Sequence, residues 1–589
     1  MVSAKFLIAL IVGLIPGHRL GTNDLHESIG TKIFEQKDAV VNGDLSTYVQ
    51  LLMGYYNVKG LALAVVRPDG EVEFGSWGNR TETGDKVTPD TLFNIGSCSK
   101  AFMSASLGIL MDDFASGRNT TPLPHELTEF GWQTELREIL PADWKLEDTW
   151  ASEKANIQDI LTHLSGLPRH DLSYSRTDSA KDAVRRLRYL KPTFELRQQW
   201  QYNNQMYGAG SHIVSTYTGS YAKFVKNRIF SALGMNSTTF FSSEAESTGR
   251  FSQSWSVDGR RIPYPLPDES IDLIAGAGGV ITSASDITQW LKMLLRDGQH
   301  PSSNTTVVPK AGFDAVTTAH SFITGGGVGT TSFSIQGYGM GWIRFSYQGH
   351  EIVYHNGGTP GISSSIAFLP NNNLGLAVFT NGGGKNQVAD AVMYRIIGDV
   401  LKLQSNANAT SNGSSSTPGL QRRQEKKVTT TLPLQQYAGT YSNPGYGSIT
   451  FCDPRGNSSY CRAVLSNFST VDSASQSTSP ADNSSSLFAA TNRLWCTHIR
   501  LDAIEPQLPA PNPDVNGDTF GMRTPFLYPE GYGADKTPFA DTYGLGDNYI
   551  AVAQFVVQHG KVVGFGIFQD IRTTVIGVRK YAEVWFDKI

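Results

Sequence analysis

Cysteine is scarce in this chain: four residues in 589, with Cys98 alone and Cys452, Cys461 and Cys496 gathered near the C-terminus. A scaffold built on disulfides is excluded. Cys452 and Cys461 flank a turn-like DPRGNSS segment and can close a hairpin that leaves Cys496 unpaired; pairing of Cys461 with Cys496 is the alternative. An excess of either charge is also missing. Lys and Arg number 49 against 53 Asp and Glu, a net of -4, which offers no basic field to nucleic acid or an anionic membrane. No HExxH, clustered Cys/His spacing or acidic loop suggests a metal, and neither a P-loop nor a dinucleotide fingerprint is present. No cofactor is expected.

Long apolar runs are lacking beyond the N-terminus, so no membrane span is expected in the mature chain. At the N-terminus, Lys5 precedes an apolar run from Phe6 to Ile15, the length of a secretory leader. Residues 1–22 are therefore read as a signal peptide and the protein as secreted. Asn-x-Ser/Thr sequons at Asn79, Asn119, Asn236, Asn304, Asn408, Asn412, Asn457, Asn467 and Asn483 agree with export and are the expected glycosylation sites.

What is present is a globular composition, 40% hydrophobic and 11% aromatic, on a chain too long for one core. LALAVVRPDGEVEFGSWG reads as two strands joined at Pro68-Asp69-Gly70, and KAFMSASLGILMDDF as a helix buried on most sides. Amphipathic helical stretches follow at DAVRRLRYL and YAKFVKNRIFSAL; strands return at EIVYHN, SSSIAFLP and LGLAVFTN, before a helix at QVADAVMYRIIGDVLKL. The order strands, helices, strands, helix implies an α+β unit over residues 23–403, an antiparallel sheet with a helical block. Residues 404–430, with NANATSNGSSSTPG and QRRQEKK, form a linker. Beyond it, GSITFC, YCRAVLS, NYIAVAQFVVQ, KVVGFGIFQ and KYAEVWF read as strands of a small β domain over 431–589, with a Ser-rich insert at 466–486 looping out.

Chemistry is carried first by FNIGSCSKAFMSA, which places Ser97 three residues before Lys100 at the start of the buried helix, on one face. A serine hydroxyl needs a neighbour to take its proton, and a desolvated lysine or a cation-flanked tyrosine can do so. Spacing alone does not decide, because Ser220 and Lys223 repeat it inside an amphipathic helix. WQYNNQMYGAG adds Tyr202 and Asn204 between Trp200 and Tyr207, and VYHNGGTPGISSS ends a strand in His355-Asn356-Gly357-Gly358, where glycines allow close approach to a ligand. Cys98 reads as a small core residue, and His163 with Ser165 as a helix end and turn.

In order, SCSK at 97–100, YNN at 202–204 and HNG at 355–357 resemble the signatures of the serine β-lactamases of class C, the penicillin-binding D,D-peptidases and the related esterases and D-aminopeptidases. LTHLSGLP, AGAGGVITSASDITQWLKMLL, YGMGW and GGTPGISSS extend the resemblance over roughly residues 45–400. It implies a β-lactamase/transpeptidase-like domain with Ser97 as acylated nucleophile. Lys100 and Tyr202 would handle its proton, with the choice of base open. Asn204 would hold the substrate amide or the lysine, and backbone N–H groups of Ser97 and Gly358 would form the oxyanion hole. His355 would stand where the family has lysine and, being mostly neutral at pH 7, moves the expectation from β-lactams towards esters and peptides. The segment opening with LQQYAGTYSNPGYG resembles the lipocalin-like, β-barrel-like domain appended to such enzymes, either a brace or a wall over the cleft. The expected activity is hydrolysis of an ester or amide in a small molecule or short peptide. An acyltransferase with the same site and a non-catalytic sensor are the rivals.

Overall fold

The computed structural model describes residues 39–589 apart from 126, 326–331, 404–429, 475–482, 506–517, 543–548 and 570–576. The leader, Asn408, Asn412 and nearly all of the linker lie outside these residues, as does the side chain of Asn483. The chain enters through α1 (Gly43–Tyr55), capped by the Asn42 side chain accepting from Leu45 N. It then forms the expected hairpin of β1 (Gly60–Val66) and β2 (Val72–Gly78), whose turn places Gly70 at φ 87°.

Six later strands complete an antiparallel sheet: β3 (Ser321–Thr324), β4 (Gln336–Tyr338), β5 (Ile343–Tyr347), β6 (His350–Thr359), β7 (Ile362–Leu369) and β8 (Leu374–Thr380). Their spatial order is β2-β1-β8-β7-β6-β5-β4-β3, so N-terminal and late strands share one sheet. Strand periodicity divides each strand between two cores. Ala62, Ala64 and Val66 face the helical block, which includes α2 (Ser99–Ala115), α3 (Asn204–Thr218) and α4 (Ile271–Gly278). Leu61, Leu63 and Val65 face α1 and α5 (Asn386–Leu401) on the opposite side. α2 is buried along nearly its whole length, and apolar or small side chains accordingly occur on all its faces, with Lys100 and Asp113 among the few buried charged residues.

The C-terminal unit is an eight-stranded antiparallel sheet formed by β9 (Gly439–Asn443), β10 (Gly447–Phe451), β11 (Ser486–Arg493), β12 (Cys496–Ala503), β13 (Thr519–Arg523), β14 (Ala551–Gln558), β15 (Lys561–Phe568) and β16 (Val584–Lys588). Its edges nearly close into a barrel. Just past β10, Cys452 exchanges two backbone hydrogen bonds with Phe488 of β11, at 2.8 and 2.9 Å. Of the two disulfide readings, the structure has Cys452–Cys461, with Cys496 free and buried.

Two expectations are corrected in this unit. YCRAVLS is not a strand: it lies in helix α6 (Ser459–Ala474), which also takes up the first part of the supposed Ser-rich loop. Cys461, Val464, Phe468 and Val471 fall at helical spacing and are its buried residues, with Val464, Phe468 and Val471 packing against Phe488 and Leu527. In KYAEVWF, a short helix over Val578–Tyr581 precedes β16, so only the latter part is strand.

Candidate active site

Ser97 sits in a tight 3-10 turn, Gly96–Cys98, that leads directly into α2. Gly96 is required there. Its φ is +49°, and a Cβ would stand 2.5 Å from the backbone nitrogen of Gly358, at the end of β6. Gly357 meets the same constraint: a side chain there would collide with the Ile95 carbonyl and approach Ser364 Oγ at 2.5 Å. Gly357 therefore lets β6 pack against the turn that carries Ser97, rather than making room for a ligand as its position in the motif suggested. Asn386 Nδ2 donates to the Gly357 carbonyl at 2.8 Å and fixes that strand end.

Lys100, fully buried as the second residue of α2, places its Nζ 3.2 Å from Ser97 Oγ. The same nitrogen is 2.9 Å from Asn204 Oδ1 and 2.8 Å from the Ala277 carbonyl of α4. Tyr202 OH donates to Ser97 Oγ at 2.7 Å, from the step just before α3. The structure thus brings Ser97, Lys100, Tyr202 and Asn204 together. Asn204, the first residue of α3, holds the lysine, the second of the two roles the resemblance left open for it. Burial and the nearby Arg169 guanidinium push Lys100 well below the ordinary lysine range, against the pull of Asp171. Burial raises the Tyr202 phenol, with Arg169 and the bond to Ser97 opposing.

His355 is buried, with both ring nitrogens taken by the protein. Nδ1 lies 2.5 Å from the Asn356 carbonyl and Nε2 3.1 Å from Tyr338 OH. A carbonyl can only accept, so Nδ1 carries the proton and Nε2 accepts from Tyr338. Tyr338 OH can then accept from His163 Nε2 at 3.2 Å, since His163 Nδ1 accepts from Asn203 N at 3.1 Å. With both imidazoles neutral, this chain runs in one consistent direction. Burial, with Lys100 adding to it, lowers His355 to about 3 and holds His163 well below the ordinary histidine range. His355 is therefore a neutral wall residue rather than a direct contact for a substrate carboxylate.

The remaining expectations divide. Ser220 caps a short helix, its Oγ accepting from Lys223 N at 3.3 Å, and Lys223 is exposed, so the second S-x-x-K is a helix start. Cys98 is buried against the His355 carbonyl at 3.2 Å, and burial pushes its thiol up to about 12, which suits a core residue. Ser165 Oγ accepts from Leu167 N in the turn. His163 is more than a turn residue: its ring lies 4.4 Å from that of Tyr202 and 4.8 Å from that of Tyr338. Sequence reasoning missed Tyr338 and the pair Arg169 and Asp171. The Arg169 side chain, 49% exposed, pairs with Asp171 at 2.7 Å and lies 5.0 Å from the Tyr202 ring centroid. For the pair the signal available was a charged RHD triplet directly after LTHLSGLP, and for Tyr338 it was YGMGW, which carried the resemblance without marking a site residue. Asn236, Asn304 and Asn457 are exposed, while Asn79, Asn119 and Asn467 are half-buried.

An α+β domain with helices on both faces of its sheet and a serine, lysine and tyrosine converging at the start of its buried helix defines a class that comparison bears out. The Beta-lactamase family model matches residues 45–399, and the chain belongs to that family of serine hydrolases. Among curated relatives, an unguisins hydrolase of Aspergillus campestris is 28% identical over 442 residues, covering 69% of this chain and 77% of its own. A second, from Aspergillus violaceofuscus, is 28% identical over 452 residues, 69% and 76% of the two chains. The octameric penicillin-binding protein homologue from Pyrococcus abyssi shares the fold at a TM-score of 0.50 and 18% identity, over 93% of this chain and 99% of its own.

Proposed function

We propose that this protein is a secreted serine hydrolase that cleaves an ester or amide through an acyl intermediate on Ser97, with Lys100 as the base. The observation that carries the reading is the environment of Lys100 Nζ, which has two pure acceptors, Asn204 Oδ1 and the Ala277 carbonyl, at 2.9 and 2.8 Å. A neutral amine spends its two N–H bonds on them, and its lone pair then faces Ser97 Oγ at 3.2 Å. Lowering of the lysine supports the neutral form.

Attack by Ser97 Oγ on the carbonyl passes the hydroxyl proton to Lys100 and gives a tetrahedral oxyanion, for which the N–H groups of Ser97 and Gly358 are the candidate donors. Tyr202, kept protonated by burial and already donating to Ser97 Oγ, hands its proton to the leaving group and regains one from Lys100. Water then attacks the acyl-enzyme by the reverse route and frees Ser97.

With both histidines and Lys100 neutral, the half-exposed Arg169 is the cation beside Tyr202, and its charge is already met by Asp171 at 2.7 Å. The site consequently favours neutral carbonyl compounds over substrates held by a carboxylate. The names of the two fungal relatives support hydrolysis, and a secondary metabolite or a peptide with D-residues is the substrate class proposed. Export rests on the Lys5 and Phe6–Ile15 leader and on the exposed sequons. A panel of p-nitrophenyl esters, D- and L-amino-acid anilides and unguisins tests the reading, with Ser97→Ala as control. Turnover of at least one ester or amide that is lost in Ser97→Ala is expected; turnover equal in the two proteins contradicts it.

A further inference from the structure

The barrel touches the catalytic domain at the turn between β11 and β12. Arg493 Nη1 donates to the Ser173 carbonyl at 3.3 Å, and Leu494 N to the Tyr174 carbonyl at 3.4 Å. At that turn Trp495 Nε1 donates to Tyr174 OH at 2.7 Å, and Tyr174 OH donates to Asp171 Oδ1 at 2.6 Å. The same Asp171 oxygen accepts from Asn204 Nδ2 at 3.2 Å, and Asn204 Oδ1 faces Lys100 Nζ.

We infer that Trp495, in the C-terminal barrel, is a positioning residue for the nucleophile, acting through Tyr174, Asp171 and Asn204 on Lys100. The chemistry of each group forces the direction of the chain. An indole nitrogen only donates and a carboxylate only accepts, so Tyr174 accepts from Trp495 and gives its own proton to Asp171. Asp171 in turn settles the Asn204 amide. Its carboxylate must meet the NH₂ group, which leaves the amide oxygen for Lys100. Were Asp171 free to swing away, the amide could rotate and present its donors to the lysine, and the amine would lose the acceptor that aims its lone pair. Tyr174 is 1% exposed, so solvent does not replace a partner lost there. The barrel is thus part of the catalytic framework and not only a brace.

This inference rests on the hydrolase reading, and one experiment separates the two. The rate of covalent labelling by a fluorophosphonate is measured against reagent concentration for the full chain, for Trp495→Phe, for Tyr174→Phe and for the double variant. Tyr446→Phe is the control, since it removes a barrel hydroxyl bonded to His170 at 2.8 Å across the same interface but outside the chain. Each single variant is expected to lower the maximal labelling rate about tenfold with half-saturation unchanged, as for a misplaced reacting group. The double variant is expected to be no slower than about threefold below either single one, because both break one chain. Tyr446→Phe is expected to label at the normal rate. Normal labelling of Trp495→Phe or of Tyr174→Phe, additive losses in the double variant, or an equal loss in Tyr446→Phe overturns the inference. Failure of the unaltered protein to label at Ser97 overturns the hydrolase reading itself, and the inference with it.

Discussion

Ser97 and Ser220 share their spacing to a lysine and differ in everything around it. Lys223 projects into water, whereas Lys100 is walled in by α2, α3 and α4 with two backbone or amide acceptors for its protons. Tyr202 supplies the third contact to Ser97. Tyr202→Phe, which keeps the ring and removes only the hydroxyl, is expected to lower turnover by about a hundredfold or more, measured as kcat on any ester the enzyme cleaves. A variant with normal kcat would remove Tyr202 from the proton path. Ser97, Lys100 and Tyr202 were legible because they lie in short ordered motifs. Arg169, Asp171 and Tyr338 were not, since each becomes part of the site only through a loop or strand whose position is tertiary. His355 was legible as a neutral departure from lysine, but the engagement of both its nitrogens depends on Tyr338 and Asn356.

At the scale of elements, β6, β7 and α5 meet at a buried carboxylate behind the site. Asp390 Oδ1 of α5 accepts from Tyr354 OH of β6 at 2.7 Å and from Ser365 Oγ of β7 at 2.6 Å. Burial nonetheless raises Asp390 to about 6. The folded protein therefore holds this proton longer than the unfolded chain does. The stability it contributes is present below the unfolded value, about 4, and is lost as pH rises through about 6. Asp390→Asn is expected to unfold at nearly the same denaturant midpoint as the original protein at pH 4 and to be more stable at pH 7, by about 2–3 kcal/mol. Equal stabilities at pH 7 would mean that the carboxylate is not held in a costly charged state. The strands and helices around this residue were readable from alternation and apolar periodicity. Helix α6 was misread because YCRAVLS carries β-branched and aromatic residues, and only its neighbours Phe468 and Val471 complete the helical stripe.

On the scale of the whole molecule, the two units share one apolar cluster and meet, among other places, where the barrel turn reaches residues 173–175 and where Arg260 pairs with Asp535 at 3.2 Å and donates to the Thr537 carbonyl at 2.8 Å. The barrel itself is tied at its closing edge by Cys452–Cys461, whose residues are 9 apart in sequence. Closing so short a loop removes chain entropy from the unfolded state, and reduction is expected to lower barrel stability by about 2.5 kcal/mol. An unfolding midpoint unchanged by reductant would show that the bond contributes nothing there. Composition and turns predicted the two domains and their order; nothing in the sequence told which barrel residues reach the catalytic domain, because Trp495 meets Tyr174 across 321 positions. The central claim is that Ser97 is the nucleophile. Intact and peptide mass spectrometry after treatment with a fluorophosphonate tests it most directly: one adduct per chain, mapped to Ser97 and absent from Ser97→Ala, is expected. An adduct that persists in Ser97→Ala, or none in the unaltered protein, would contradict the account.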